Sequence, residues 1–216
     1  EQRMVVKEAK EYGAEALVCE CMAVNPDYQI TFQNQLLQAN IGVIVNVLED
    51  HMDVMGPTLD EVADAFLATI PYNGFLVTIE SEYLPLFKQV AEKRGTEVII
   101  APVHEVEDSY LRKFDYMIFP DNVALGLAVA KIFNIPKKVA LRGMLKAQPD
   151  PGAMRIHTYE SARGTKAHFV NGFAANEPTS SLKIWERLAE LGYPSRDPLI
   201  IMNCRPDRVD RTEQFA

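Results

Sequence analysis

The sequence predicts an α/β fold, a mostly parallel sheet with helices on both faces. Three observations carry that expectation. Apolar runs of strand length, Val43-Ile44-Val45-Asn46-Val47-Leu48 and Phe75-Leu76-Val77-Thr78-Ile79 among them, alternate with stretches of helical spacing, as βα units do. The first of these runs ends in Glu49-Asp50-His51-Met52-Asp53, and the end of a strand leaving an open α/β sheet is where ligands are held. Gln148-Pro149-Asp150-Pro151-Gly152 then breaks the pattern, because two prolines cannot continue a helix and the glycine frees φ. This hinge divides the chain into a first domain, residues 1–150, and part of a second α/β domain, residues 151–216.

The elements follow in order. A helical pattern opens the chain around Met4, Val5, Lys7 and Glu8. Ala16-Leu17-Val18-Cys19 reads as a short strand running into Glu20, Gln29 to Gln38 as a helix, and Gly42 to Leu48 as the next strand. Thr58-Leu59-Asp60-Glu61 is a capping-box signature and starts a helix to about Ile70. Phe75 to Ile79 is a strand, Leu84 to Arg94 a helix stopped by Gly95, and Val98 to Ala101 another strand. Met117-Ile118-Phe119 is a short apolar run before Pro120, and helices follow over Asn122 to Phe133 and Lys137 to Lys146. Past the hinge come a strand near Ala167 to Phe173, a helix from Thr179 to Leu191, and a strand at Leu199 to Met202.

Composition narrows the class. With 216 residues and 48% hydrophobic content the chain can bury a proper core. A net charge of −8 argues against nucleic acid as a partner. No apolar run approaches the roughly 20 residues of a membrane span, and no secretory signal opens the chain. Cys19, Cys21 and Cys204 cannot all pair, and the first two would point to opposite faces of a strand. Reduced thiols and a cytoplasmic setting are expected. Neither end carries a cap or breaker, so the chain is expected to be a piece of a longer protein.

Several groups could carry chemistry, each beside a plainer role. Glu20 at a strand end is as readily a solvated carboxylate as a ligand. Asp50, His51 and Asp53 at the next strand end shift the balance toward a hard cation, Mg²⁺ or Mn²⁺. Zinc is disfavoured, since Cys19 and Cys21 have no second Cys or His pair at suitable spacing. Asp121 suits an N-cap. Arg155, just past the hinge, is an ordinary surface arginine or a guanidinium fork for phosphate. Asn171 to Thr179 is a loop into a helix. Cys204-Arg205-Pro206-Asp207-Arg208-Val209-Asp210-Arg211 is either a solvated helix start or an anion site.

Glu20-Cys21-Met22-Ala23-Val24-Asn25-Pro26-Asp27-Tyr28 and Glu49 to Leu59 carry a resemblance, extended by Asp150-Pro151-Gly152-Ala153-Met154-Arg155, Phe169 to Asn176, and Ile201 to Thr212. Over nearly its whole length the chain resembles the poly-γ-glutamate synthase subunit of capsule-forming bacteria, itself similar to Mur ligases and folylpolyglutamate synthases. Those are ATP-dependent amide ligases. The resemblance implies an incomplete Mur ligase-like central domain followed by part of a C-terminal Rossmann-like α/β domain. It implies that ATP phosphorylates the γ-carboxylate of a growing glutamate chain and that the next glutamate's amine attacks the acyl phosphate. Glu20 and His51 would be Mg²⁺ (or Mn²⁺) ligands, with Asp50 and Asp53 shaping the catalytic turn. Asn122 would lie near the nucleotide, Arg155 would contact phosphate across the hinge, and Asn176, Arg205, Asp207 and Arg208 would complete the cofactor-binding set. The implied partners are glutamate, poly-γ-glutamate and other synthase subunits at the cytoplasmic face of the membrane, with a homo-oligomer also open.

The chain departs from that pattern in four places. It contains no glycine-rich loop ending in Lys-Ser or Lys-Thr to cradle phosphates. Ala65-Phe66-Leu67 stands where Mur ligases carry a metal-supporting lysine, and Leu125 replaces the second asparagine of their adenine-side motif. Asn171 or Gly172 replaces an aspartate before the second-domain loop. The isolated chain is therefore expected to be inactive. Two other readings are an assembly module for the synthase complex and a metal-dependent hydrolase using Asp50, His51 and Asp53.

Overall fold

The computed structural model describes residues 2–175, 178–194, 197–203, 206 and 209–215. The chain divides into two compact units, 1–108 with 119–144 and 109–118 with 145–216, where the sequence suggested one boundary near residue 150.

The first unit opens with helices α1 (Gln2–Glu11) and α2 (Pro26–Thr31), the latter continued by a π-helical stretch, Phe32–Leu37. Strand β1 (Ile41–Ile44) follows, then helices α3 (Met52–Met55) and α4 (Leu59–Phe66), strand β2 (Phe75–Thr78), helix α5 (Leu84–Lys93) and strand β3 (Glu97–Ile100). Helices α7 (Pro120–Ile132) and α8 (Lys137–Met144) complete this unit, while the short α6 (Asp108–Leu111) starts at the boundary and otherwise belongs to the second. Strands β1, β2 and β3 lie in that order, all parallel, with Val43 opposite Val77 and Val77 opposite Ile99. Helical crossovers join them, as parallel neighbours require.

Alternation along β2 sends consecutive residues to opposite faces, and each face has its own core. Leu76 belongs to a cluster with Ile44, Ala63, Ile70, Phe87 and Ala91, which brings in α4 and α5. Val77 belongs to another with Ala101, Ala124, Leu125 and Ala128, which brings in α7. Helices therefore cover both faces, as the sequence predicts. Two buried hydroxyls add to the sheet and its connections: Thr78 Oγ1, ending β2, donates to Ile44 O, ending β1, at 3.0 Å, and Thr96 Oγ1, just before β3, donates to Pro71 O, ahead of β2, at 2.7 Å.

The second unit contains strands β4 (Arg155–Glu160) and β5 (Lys166–Asn171), an antiparallel ribbon, followed by α9 (Pro178–Glu190) and α10 (Val209–Gln214). Among the described residues no helix is long and apolar enough to cross a membrane.

Several expectations need correction. Ala16 to Cys19 forms no strand, and Val18 is 95% exposed. Leu199 to Met202 forms none either, with Leu199 at 89%. An apolar run becomes a strand only where a neighbour takes its amide groups, and neither run is paired in a sheet among the described residues. β1 is shorter than expected, since Val45 to Leu48 leave the ladder. The expected helix over Gln29 to Gln38 is two pieces, α2 and the π-helical stretch, ending at Gln38 with φ 48°. Strand β4 was not anticipated, because its polar sequence Arg-Ile-His-Thr-Tyr-Glu lacks an apolar run. Asp121 is not an N-cap: Phe119 holds that place and Pro120, with its fixed φ, opens α7.

Candidate functional site

The charged turn after β1 lies beyond the C-terminal ends of parallel strands, where open α/β sheets place ligands. Val47, on the way out, packs against the core cluster of Ile44 and Phe87. Asp50 then accepts a hydrogen bond from His51 N at 3.0 Å and lies 3.7 Å from His51 Nε2. His51 takes φ 53°, the left-handed region, and caps α3 by accepting at its carbonyl from Val54 N and Met55 N. Left-handed non-glycine residues cost of order 1–3 kcal/mol and gather at functional sites. Asp53 is exposed in the first turn of α3.

The far side of the turn is braced. Gly56 has φ 130°, and a Cβ there would collide with Glu61 Cβ, so only glycine serves. Glu61 is held by the capping box: its carboxylate accepts from Thr58 N at 3.1 Å and Thr58 Oγ1 at 2.9 Å. Glu61 N donates in return to Thr58 Oγ1 at 3.4 Å. The motif read from sequence is present, and it fixes where α4 starts relative to His51.

Glu20 is exposed in the irregular segment before α2 rather than at a strand end. A residue that sequence reasoning missed joins that segment to the turn. Gln29, 2% exposed on α2, donates from Nε2 to Val24 O at 3.2 Å and approaches Met55 Sδ at 3.8 Å. It thus holds the stretch after Glu20 against the helix after His51. A lone glutamine in an amphipathic helix gives no advance signal of this. Among the described residues no group of three His, Cys, Asp or Glu is gathered to hold a metal ion.

Burial pushes the neighbouring Cys21 thiol above its ordinary value, with the Glu20 charge adding and a backbone hydrogen bond at Ala23 opposing. The folded chain keeps that proton to higher pH than the unfolded one, so this small contribution to stability is lost as pH climbs past the ordinary thiol range. A raised value also means less thiolate at any given pH. Alkylation of Cys21 by iodoacetamide at pH 8 is expected to lag behind exposed Cys19, the gap narrowing at higher pH. Equal rates by mass spectrometry at pH 8 would contradict it.

The remaining candidates are distributed. Asn122 is exposed in the first turn of α7 and donates its N–H to Phe119 O at 3.2 Å. Leu125, one turn on, is 4% exposed in the core, so here that position serves packing. Phe66, where a lysine would support metal in Mur ligases, packs against the other core. In the second unit, Arg155 begins β4 and pairs with Asp115 at 3.7 Å. It lines a cleft of about 690 Å³ with Lys113, Phe114, Asp115, Gln148 and Asp150. Asn176, Arg205, Asp207 and Arg208 lie outside the described residues.

Two solved structures share the fold. FolC of E. coli, solved in complex with DHPP and ADP, superposes with a TM-score of 0.55 over 74% of this chain and 41% of its own, at 18% identity. MurF of Acinetobacter baumannii gives a TM-score of 0.55 over 76% of this chain and 39% of its own, at 13% identity. The chain shares the fold of these two proteins.

In sequence the resemblance is to CapB. A family model of the poly-gamma-glutamate synthase CapB C-terminal domain matches residues 156–216. All 216 residues align with capsule biosynthesis protein CapB of Bacillus anthracis at 67% identity, covering 46% of that protein. They align with PGA synthase CapB of Bacillus subtilis strain 168 at 64% identity, covering 55% of it. The chain spans about half the length of the curated relatives it matches.

Proposed function

We propose that these residues form part of an ATP-dependent ligase that joins glutamate units through γ-amide bonds, the poly-γ-glutamate of a bacterial capsule. The observation that carries this is identity of 67% and 64%, over the whole chain, to proteins described as capsule biosynthesis protein CapB and PGA synthase CapB. A Mur ligase-class fold and a charged turn beyond the strand ends support it. A γ-carboxylate oxygen of the growing chain attacks the γ-phosphorus of ATP, and ADP leaves with the bonding electrons. The amine of the next glutamate attacks the acyl carbon. Phosphate departs with the carboxylate oxygen, and the amine gives up a proton.

Catalysis of this kind is positioning plus offset of charge on phosphate oxygens. Asp50, His51 and Asp53 are assigned to the reacting end, Asn122 to the nucleotide, and Arg155 to phosphate, with Asn176, Arg205, Asp207 and Arg208 as further cofactor contacts. Glu20 and His51 would hold Mg²⁺ or Mn²⁺. Among the described residues, protein donors in that number do not make a metal site by themselves. Other synthase subunits at the membrane are the proposed partners.

The chain contains no glycine-rich loop ending in Lys-Ser or Lys-Thr, so it should not turn over alone. ATP- and Mg²⁺-dependent incorporation of labelled glutamate is expected to be at background for the 216 residues and well above it for a protein of the relatives' full length that contains them. Turnover by the short chain would refute its dependence on the rest, and background in both would sink the ligase reading.

A second reading, an assembly module, is favoured by exposed apolar runs at Leu17-Val18 and Leu199 to Met202 and by β1 and β3, each with one neighbour among the described residues. Light scattering after size exclusion at several concentrations separates the readings, and a strict monomer counts against assembly.

A further inference from the structure

We infer that Gln29 is a positioning residue for His51: its carboxamide sets where the turn from Asp50 to Met55 stands, without itself touching a reacting group. That His51 works at the reacting end rests on the ligase reading; the clasp that holds the turn rests on geometry alone.

Burial of this side chain asks for a reason. Gln29 is 2% exposed, in a place that an apolar residue fills more readily, since a buried carboxamide needs partners for its donors and its acceptor alike. The donor side is engaged: Nε2 reaches Val24 O at 3.2 Å and Met55 Sδ at 3.8 Å. The acceptor side is not, for Oε1 is buried and meets no hydrogen-bond donor among the described residues. An unmet buried acceptor lowers stability. Stability of the fold is therefore a poor account of Gln29, and what remains is the pair of elements that its NH₂ group joins.

Those elements are the segment after Glu20 and the one-turn helix after His51. Asn25 caps α2 through Oδ1, which accepts from Asp27 N at 2.9 Å, and Pro26 gives the first turn a fixed φ. Helical side chains lean toward the N-terminus, so Gln29 reaches back to Val24 and across to Met55. Both α2 and α3 lie against α4, whose start the capping box fixes. From Met55 the path to His51 is a single hydrogen bond, Met55 N to His51 O at 2.9 Å. The turn is thus fastened by Asp50 at its start, by Glu61 beside Gly56, and by Gln29 at Met55. The last reaches it from 26 residues away in the chain. Asn34 is the matched control: its Oδ1 is likewise buried without a donor among the described residues. It stands on the π-helical stretch, in a cleft with Gln33, Gln38 and Tyr72.

Hydrogen exchange of the 216-residue chain, followed by NMR, tests the clasp with Gln29→Met, which keeps the length of the side chain and removes its carboxamide. The Val54 and Met55 amides should exchange at least about tenfold faster, while those of β2 and α5 stay within about threefold and the melting temperature within about 3 °C. Met55→Leu, which keeps the volume and removes the sulfur, should speed the Val54 amide and that of residue 55 in the same way. Asn34→Ala should leave both within about threefold. In a full-length protein containing this chain, Gln29→Met should lower kcat for glutamate incorporation at least about tenfold, with KM for glutamate within about twofold. Uniformly faster exchange with a large fall in melting temperature makes Gln29 an ordinary core residue and overturns the inference. Unchanged Val54 and Met55 amides, or an equal effect of Asn34→Ala, overturn it too. A selective change in exchange with unaltered turnover overturns the positioning role and leaves the ligase reading standing. Failure of the unsubstituted full-length protein to incorporate glutamate sinks the ligase reading, and His51's place at the reacting end with it, whatever the exchange gives.

Discussion

Phe87→Ala is expected to destabilise the first unit by about 3–5 kcal/mol, the range for emptying an aromatic site in a packed core. Phe87 is fully buried on α5 and belongs to the cluster of Ile44, Ala63, Ile70 and Leu76, so its loss leaves a void beneath the sheet rather than a dent in the surface. Total stabilities of about 5–15 kcal/mol make that a large fraction. Urea unfolding should show the midpoint dropping with little change in slope. Val18→Ala is the matched control. Were Ala16 to Cys19 a buried strand, it would cost more than about 1 kcal/mol; at 95% exposure it should stay within about 0.5 kcal/mol. A destabilised Val18 variant would contradict the correction made to that segment.

The second large effect is at His51. His51→Asn is expected to leave stability within about 1 kcal/mol, because asparagine tolerates the left-handed φ of 53°. In a full-length protein containing this chain the same substitution should lower ATP-dependent glutamate incorporation by about 100-fold or more, as loss of a group acting at the reacting atoms does. His51→Val separates the two roles: a β-branched residue at positive φ should cost about 1–2 kcal/mol in addition to the activity. If His51→Asn keeps full activity, the assignment of His51 to the reacting end is wrong.

Much of the first unit was legible because its signals are local. Val43-Ile44, Leu76-Val77 and Val98-Ile99 announce strands by β-branched apolar runs, and Thr58 with Glu61 announces a helix start that the structure shows bond for bond. What stayed hidden depends on partners distant in sequence. Val18 and Leu199 have strand-like neighbours in sequence, yet the amides around them find no paired strand among the described residues. Gln29 looks like any polar helical residue until Val24 O and Met55 Sδ are seen beside it. The π-helical stretch at Phe32–Leu37 and the left-handed His51 are backbone choices that composition does not encode.

The candidate site was legible in a different way. The turn from Asp50 to Thr58 was recognised by its residues, and the structure adds how it is held: a side-chain bond from Asp50, a glycine with no room for Cβ, and a capping box. The expected proximity of Glu20 to a strand end fails, because its segment is irregular and exposed.

The role proposed for this chain is as part of machinery that activates a glutamate γ-carboxylate as an acyl phosphate. It is tested most directly by oxygen transfer in a full-length protein containing these residues, supplied with ATP and with glutamate and acceptor chains that both carry ¹⁸O at both oxygens of their γ-carboxylates. Mass spectrometry of the released phosphate should find one ¹⁸O for each amide bond formed. Amide formation with unlabelled phosphate would contradict the account.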